Sequence, residues 1–134
     1  MSKRNLSVNL RNGFKDFEEL SIIFQILKNK FNHLNKTSYA VAVSGGPDSL
    51  ALVALTKAYS LIKKTKFHYI LVDHNIRNNS ASEAKKVKNL LKKNKINLRI
   101  IVNKKKITKN IQGQARDTRY EILTKYCKKN RINT

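Results

Sequence analysis

The chain has 134 residues and carries 29 Lys and Arg against 8 Asp and Glu, a formal net charge of +21. Its length suits one domain with a modest core, and no apolar run approaches the ~20 residues of a membrane span. The single cysteine, Cys127, excludes an internal disulfide and a cysteine metal cluster. We therefore expect a cytoplasmic domain without membrane attachment, whose charge favours a polyanionic partner such as nucleic acid unless it reflects compositional bias alone.

The N-terminal part of the chain divides into a polar lead and a helix. Residues 1–16 show no periodic pattern, so we expect an irregular segment ahead of a domain over residues 17–134. From there apolar residues recur every three or four positions, which predicts a helix from Phe17 to about Asn35 with Asp16 as its cap. The predicted inward face consists of Phe17, Leu20, Ile23, Phe24, Leu27 and Phe31.

A strand, a glycine turn and a helix follow. Tyr39–Val43 is continuously apolar, which is typical of a parallel strand covered on both faces. The turn is Ser44-Gly45-Gly46-Pro47-Asp48-Ser49, and a helical pattern runs from Pro47 to about Ile62. The glycines allow a sharp turn and a close approach to a ligand, and proline suits the first helical position. This order aims amides and the positive end of a helix at an anion, so it predicts a phosphate-binding turn.

The residues of the turn exclude two common phosphate motifs. A Walker A loop ends in Gly-Lys-Ser/Thr, which is absent here. A dinucleotide fingerprint needs a third glycine three residues after the second, where this chain has Ser49. The remaining alternative is a plain strand–helix connection in an ordinary α/β domain.

The second predicted strand, Phe67–Val72, ends in a polar loop and has His68 as a structural position. Asp73-His74-Asn75-Ile76-Arg77 follows it directly. Because ligands of parallel α/β sheets bind at the carboxyl ends of strands, we expect this loop beside the glycine turn. Asp73 and Arg77 suit ribose or phosphate contacts, and His74 suits hydrogen bonding. The alternative is a loop that only connects two elements.

A third helix and a third strand come next. Ser80 and Glu83 have the spacing of a capping box, which predicts a helix from this point to about Asn94. A strand over Asn97–Val102 precedes a basic loop over residues 104–106. The predicted inward positions of this helix are Ala84, Val87, Leu90 and Leu91.

The last predicted helix runs from about Asn110 to Asn130, and residues 132–134 suggest the start of a fourth strand. Its predicted inward positions are Ile111, Ala115, Ile122, Leu123 and Tyr126. The alternation of strands and helices predicts an α/β fold, a doubly wound parallel sheet with helices on both faces that stops near the fourth strand.

Three segments, taken in order, resemble a known family. They are Ser44–Ser49, the segment Val72-Asp73-His74-Asn75-Ile76-Arg77, and Asn110-Ile111-Gln112 followed by Ala115-Arg116-Asp117-Thr118-Arg119-Tyr120. The set resembles the N-terminal domain of the tRNA(Ile)-lysidine synthetases, which are PP-loop ATP pyrophosphatases. The resemblance covers most of residues 17–134.

This resemblance implies a reaction, its substrates and its cofactors. Such enzymes use ATP, with Mg²⁺ on its phosphates, to adenylate the C2 carbonyl oxygen of the wobble cytidine in a tRNA(Ile) with a CAU anticodon, and pyrophosphate leaves. The amine of free L-lysine then attacks C2 and AMP leaves, which produces lysidine. The expected activity is therefore that of an ATP-dependent tRNA-modifying ligase.

The resemblance also implies roles for individual residues. Asp48 is the candidate catalytic residue and the candidate Mg²⁺ ligand, while Val72 and Asp73 are expected to border the adenosine. Arg116 and Arg119 are candidates for phosphate or tRNA contacts, with an ordinary surface arginine pair as the alternative. The residues expected to hold phosphate are Ser44, Gly45, Gly46, Pro47, Asp48 and Ser49.

The sequence departs from the family at its end. Members continue into a His-x-x-Asp-Asp segment and C-terminal domains that grip the tRNA, so the 134 residues alone are expected to be inactive. One alternative is another PP-loop tRNA-modifying enzyme, such as a thiolation enzyme, although the lone Cys127 in a helix disfavours it. The other is a non-catalytic basic RNA-binding fragment.

Overall fold

The computed structural model of the chain describes residues 18–132. The irregular lead predicted for residues 1–16, the predicted cap Asp16 and the predicted helix start at Phe17 lie outside the described residues. So do residues 133–134 of the predicted fourth strand. Within the described part, no helix combines the length and the apolar character needed to cross a membrane.

Four helices and three strands alternate along the described residues, close to their predicted bounds. They are α1 (Glu18–Leu34), β1 (Ser38–Ala42), α2 (Pro47–Ile62), β2 (Lys66–Asp73), α3 (Ser80–Lys93), β3 (Leu98–Val102) and α4 (Ile111–Lys129). Val43, predicted as the last residue of the first strand, lies just beyond β1. Its amide still donates to the carbonyl of Ile70 at 2.8 Å and continues the strand pairing.

The three strands form one parallel sheet in the order β1-β2-β3. Val41 pairs with Tyr69, and Tyr69 in turn pairs with Leu98. This arrangement confirms the predicted α/β class. Because parallel strands all end on the same edge, the segments that follow β1, β2 and β3 meet there.

One face of the sheet carries the larger core, against α2 and α3. Val53 on α2 and Leu91 on α3 are almost fully buried there. The buried residues of this core are Val41, Val43, Val53, Tyr69, Leu71, Ala84, Leu91, Ile96 and Leu98. The inward positions predicted for α3 are therefore confirmed at Ala84 and Leu91, with Val87 packed against the cluster.

The opposite face of the sheet is covered by α4, which contacts β1 and β2. The guanidinium of Arg99 lies over the ring of Tyr126 at 5.5 Å, and Arg99 alternates along β3 with Leu98, which faces the larger core. Helices therefore lie on both faces, as predicted. Ile111, predicted to point inward, is instead 47% exposed, because it is the first residue of α4 and lies at an open cleft.

An aromatic cluster holds α1 to the sheet. The ring of Phe31 lies 4.8 Å from Tyr39, 5.0 Å from Tyr59 and 5.3 Å from Phe67, measured between centroids. Ile23, predicted on the inward face of α1, is 47% exposed. Contact with the sheet is therefore concentrated at the C-terminal part of this helix.

The predicted capping box of α3 does not form. The helix begins at Ser80, with Asn79 as its N-cap, and the hydroxyl of Ser80 is buried without a hydrogen-bond partner in the described structure. Glu83 instead accepts a hydrogen bond from the side-chain amide of Asn79 at 3.1 Å. The amide of Ser80 already donates to the carbonyl of Arg77, so the chain turns one residue earlier than the capping-box spacing predicts.

Candidate functional site

The glycine turn joins the carboxyl end of β1 to the first residue of α2. Gly46 is the N-cap of α2 and Pro47 its first helical residue. The amide of Ser44 donates to the hydroxyl of Ser49 at 2.8 Å, and the amide of Gly46 donates to the hydroxyl of Ser44 at 3.4 Å. These hydrogen bonds set the shape of the turn, which positions both hydroxyls and the start of α2 in one place.

The structure requires glycine at position 45 for a different reason than the sequence suggested. Its φ of +87° lies in the region that side chains rarely adopt. A Cβ placed on it would lie 2.9 Å from Cγ2 of Val87 on α3. The expectation that this glycine leaves space for phosphate is therefore corrected, because its bare side faces α3.

The start of α2 offers hydrogen-bond donors to an anion. The first four amides of a helix have no acceptor within the helix, and those of Asp48 and Ser49 belong to this group. The helix dipole adds positive potential at the same point. The side chain of Asp48 is exposed in this first turn, so its carboxylate faces solvent beside the turn.

The end of β2 supplies a buried carboxylate. Asp73, predicted in the loop, is the last residue of β2 and is 6% exposed. Its Oδ1 accepts a hydrogen bond from the amide of Asn75 at 2.8 Å, and Asn75 has a φ of +55°. The carboxylate of Asp73 therefore holds the loop after β2 in its conformation. Arg77, further along, pairs with Glu83 at 3.3 Å on the surface.

Sequence reasoning missed Asn103, the residue directly after β3. Its side chain is buried at 6% exposure, and its Nδ2 lies 3.3 Å from Nδ1 of His74. Burial and, to a smaller extent, the charge of Arg119 lower the pKa of His74, while Asp73 opposes them. A polar residue at the carboxyl end of the third strand was the signal that could have identified Asn103.

Three cavities meet at this edge of the sheet. The first, about 190 Å³, contains Ser44, Asp73 and His74 in its wall. The second, about 230 Å³, connects the turn to α4, because Ser44, Val72 and Arg119 all line it. The third, about 620 Å³, lies between the sheet and α4 and is lined by Ala42, His74, Ile76, Ile111, Gln112, Ala115, Arg116, Arg119, Tyr120 and Leu123.

The structure thus brings some of the predicted site residues together in shared cavity walls, but not all. Ser44, Val72, Asp73 and Arg119 share cavity walls. Arg116 lines the largest of these cavities together with Arg119, and its guanidinium lies 5.9 Å from the ring centroid of Tyr120. Asp48 lines none of these three cavities.

The described residues contain no group of three or more His, Cys, Asp or Glu side chains that could hold a metal. A cation held at the turn by Asp48 can take further ligand oxygens from a bound phosphate and from water. Mg²⁺ binds in this way in many nucleotide sites, through one or two carboxylates together with phosphates. The exposed carboxylate of Asp48 fits that arrangement.

Comparison with known proteins gives a consistent result. A family model described as a PP-loop domain matches residues 20–134. The tRNA(Ile)-lysidine synthase of Orientia tsutsugamushi (strain Boryong) is 42% identical over 94 residues, which are 69% of this chain and 21% of that protein. The proteins of that name from Wolbachia sp. subsp. Brugia malayi (strain TRS) and Wolbachia pipientis wMel are 36% and 37% identical over 117 residues, 85% of this chain and 27% of each. The chain spans about a quarter or less of the curated relatives it matches.

Proposed function

The chain belongs to the PP-loop domain family, and on that premise we propose that it binds ATP at the carboxyl edge of its sheet for lysidine formation on tRNA. The observation that carries the proposal is the cavity that joins Ser44 of the turn, Val72 of β2 and Arg119 of α4. It combines the first residue of the glycine turn that leads into α2, an apolar strand end and a guanidinium in one space. Those are the groups that a nucleotide requires.

In this proposal the turn holds the phosphates of ATP. The free amides at the start of α2 and the hydroxyls of Ser44 and Ser49 donate hydrogen bonds to phosphate oxygens. Pro47 has a ring that presets the φ of the first helical residue, and it has no backbone N–H that would need an acceptor. Gly45 and Gly46 allow the backbone path that aims the amides, and the positive φ of Gly45 supports this role.

Val72 and Asp73 border the adenosine in the proposed complex. Val72 is half-buried and lines two cavities with Ser44, so it offers an apolar surface next to the turn. One oxygen of the Asp73 carboxylate already accepts a hydrogen bond from the amide of Asn75. The second oxygen is suited to accept a hydrogen bond from a ribose hydroxyl. Burial of Asp73 supports a precise orientation for that contact.

The two arginines of α4 take different roles in this proposal. Arg119 shares a cavity with Ser44, which supports a phosphate contact. Arg116 lies further along the larger cleft, where it suits a contact with the backbone of an RNA or with the departing pyrophosphate. Both side chains come from one helix, one turn apart, so they project into the same cleft.

Asp48 is proposed as the group that works with Mg²⁺. The ion, when bound, neutralises charge on the phosphates. Asp48 would hold it from the first turn of α2, and its exposed carboxylate leaves room for water and phosphate oxygens. This residue is also our candidate for positioning the reacting groups in adenylation.

The chemistry proposed for the whole protein is the transfer of free L-lysine to C2 of the wobble cytidine in a tRNA(Ile) with a CAU anticodon. The names of the relatives support the tRNA and the lysine, and the charge of +21 supports the polyanionic partner. Cys127 is buried, and burial raises the pKa of its thiol, which disfavours sulfur chemistry at that residue. We also place the protein in the cytoplasm, where its free thiol stays reduced.

ATP binding by the chain is the direct test. Isothermal titration calorimetry should detect ATP binding, and Arg119→Ala should weaken it by about tenfold, the loss expected for a charged hydrogen bond. Arg99→Ala is the matched control, because Arg99 lies on the same sheet face but stacks on Tyr126. The proposal fails if ATP does not bind, or if the two variants weaken it equally.

Transfer of lysine is tested in a domain swap. Residues 20–134 replace the matching domain of the Orientia tsutsugamushi relative, and incorporation of labelled lysine into tRNA is measured. We expect incorporation by the swapped protein and none with Asp48→Asn. A folded swap that binds ATP but transfers no lysine would contradict the lysidine assignment and favour another PP-loop chemistry.

A further inference from the structure

The environment of Asn103 defines which nitrogen of His74 carries the proton. The amide of Lys105 donates to Oδ1 of Asn103 at 3.0 Å. The oxygen of the Asn103 side chain therefore faces Lys105, and its Nδ2 faces His74 at 3.3 Å. Because an amide nitrogen only donates, Nδ1 of His74 must accept, and the proton of the neutral ring lies on Nε2.

The position of Asn103 is itself tightly held. Its backbone amide donates to the carbonyl of Asp73 at 2.7 Å, which links the end of β3 to the end of β2. The side chain is buried at 6% exposure. Asn103 therefore fixes the imidazole of His74 from a rigid part of the sheet and, through Lys105, also ties the basic loop to it.

The Nε2 atom of His74 is buried and has no hydrogen-bond partner among the described residues. Buried donors are normally satisfied in proteins, so an orphaned one suggests an acceptor supplied from outside. His74 lines both the cavity that contains Ser44 and the larger cleft with Arg116 and Arg119. The residue that carries this N–H thus borders the space assigned above to the nucleotide.

We propose that Asn103 is a positioning residue that holds His74 as a neutral Nε2–H donor to an acceptor atom of the bound adenine nucleotide. The inference rests on the proposed nucleotide site and adds two residues to it. The lowered pKa of His74 is consistent with a neutral ring near pH 7. The charged groups lining its cavities are Asp73, Arg77, Glu83, Arg116 and Arg119.

The tautomer is measured by long-range ¹H–¹⁵N correlation spectra of histidine-labelled protein. The chain has three histidines, so His33→Gln and His68→Gln spectra assign the His74 signals. We expect the Nε2–H tautomer in the wild type. Asn103→Asp should invert it, because a carboxylate accepts the proton of Nδ1, and Asn103→Ala should leave a mixture of tautomers.

The ligand contact is measured in the same spectra by titration with ATP. We expect ATP to shift the Nε2 resonance of His74 in the wild type, and Asn103→Asp to weaken ATP binding roughly three- to tenfold. Asn97→Asp is the matched control, since it makes the same charge change at the exposed position ahead of β3. It should leave both the tautomer and the affinity unchanged.

The outcomes separate this inference from the proposed function. An Nδ1–H tautomer in the wild type, or ATP binding that leaves Nε2 unshifted, overturns the inference while the nucleotide site stands. Equal effects of Asn103→Asp and Asn97→Asp also overturn it, because the loss would then come from charge. If ATP fails to bind the wild type at all, the proposed function fails and the ligand contact of His74 fails with it.

Discussion

Gly45 shows how a single residue of the turn serves the fold as well as the site. Its positive φ disfavours any side chain, and a Cβ at this position would lie only 2.9 Å from Cγ2 of Val87. Gly46, the next residue, has a φ of −74° and a built Cβ no closer than 3.6 Å to the Ser44 hydroxyl. The two neighbouring glycines therefore differ in how strictly the structure needs them.

Replacing these glycines should separate the two cases. Gly45→Ala should lower the free energy of unfolding by about 1–3 kcal/mol, since it strains the backbone and contacts α3. In a Val87→Ala background the steric contribution to this loss should be relieved. The double variant should therefore lose less free energy of unfolding than the sum of the two single losses. Gly46→Ala is the control and should cost well under 1 kcal/mol in urea denaturation. Equal losses at both positions would contradict the geometry of the turn.

His68 makes stability depend on pH. Burial, and then the charge of Lys66, lower the pKa of His68 below its ordinary value of 6.5. On acidification the unfolded chain therefore takes up this proton first. The contribution to stability is complete above pH 6.5 and is lost as the pH falls from there toward the folded pKa. His74 acts with the same sign.

The melting temperature should accordingly fall between about pH 7.5 and about pH 5.5. His68→Gln should reduce that fall, because the glutamine has no proton to gain. His33→Gln, at an exposed position near the end of α1, is the control and should leave the fall as in the wild type. A pH profile unchanged by His68→Gln would show that other groups govern the acid response.

Among the elements, α1 is attached to the domain chiefly through its C-terminal part. Phe31 is half-buried, and its ring packs against the rings of Tyr39, Tyr59 and Phe67. Ile22 and Ile26 are 54% and 62% exposed. The aromatic contacts described for α1 are those of Phe31 near its C-terminal end, and we expect the helix to open before the sheet does.

Removing the Phe31 ring tests this attachment. Phe31→Ala should lower the free energy of unfolding by about 2–3 kcal/mol, a value below that of a fully buried ring. Hydrogen exchange should accelerate in α1 while the amides of β2 stay protected. Ile26→Ala is the control, with an expected loss within about 0.5 kcal/mol. Uniform acceleration across α1 and β2 would mean that the helix does not open separately.

The start of α3 gives a second prediction at the scale of an element. In a capping box, Ser80→Ala would cost about 1 kcal/mol. The structure instead leaves this hydroxyl buried without a partner, so its removal should be neutral or slightly stabilising. Thermal denaturation of Ser80→Ala decides between the two, and a loss of about 1 kcal/mol would restore the capping box.

At the scale of the whole molecule, groups of exposed lysines lie at both ends of the strands of a chain with a net charge of +21. Lys104, Lys105 and Lys106 are exposed after β3, at the edge where the proposed nucleotide site lies. Another three exposed lysines, Lys63, Lys64 and Lys66, lie at the opposite end of β2. A tRNA that reaches the proposed site would contact the first group.

Salt dependence of tRNA binding distinguishes a specific surface from general charge. Affinity should fall steeply with salt concentration, and changing Lys104, Lys105 and Lys106 to Gln should reduce the logarithmic slope by up to about 2–3. The same change at Lys63, Lys64 and Lys66 should reduce it less. Equal reductions would assign binding to net charge, and a flat salt response in the wild type would leave the charge as compositional bias.

The sequence by itself determined the elements, the parallel sheet and the place of the glycine turn. These depend on local signals, since apolar periodicity predicts helices and strands, and Ser44–Ser49 has its turn residues in consecutive positions. The segments at the ends of β1 and β2 could also be placed side by side, because parallel strands end on one edge.

Only the tertiary structure decided which side chains meet. The contact of Asn103 with His74 spans 29 positions of sequence, and the contact that excludes a side chain at Gly45 comes from Val87 on a different helix. The packing of α4 placed Arg119 in a cavity with Ser44 of the turn. Such contacts depend on how whole elements pack in three dimensions, and no spacing within a single segment of the chain encodes that packing.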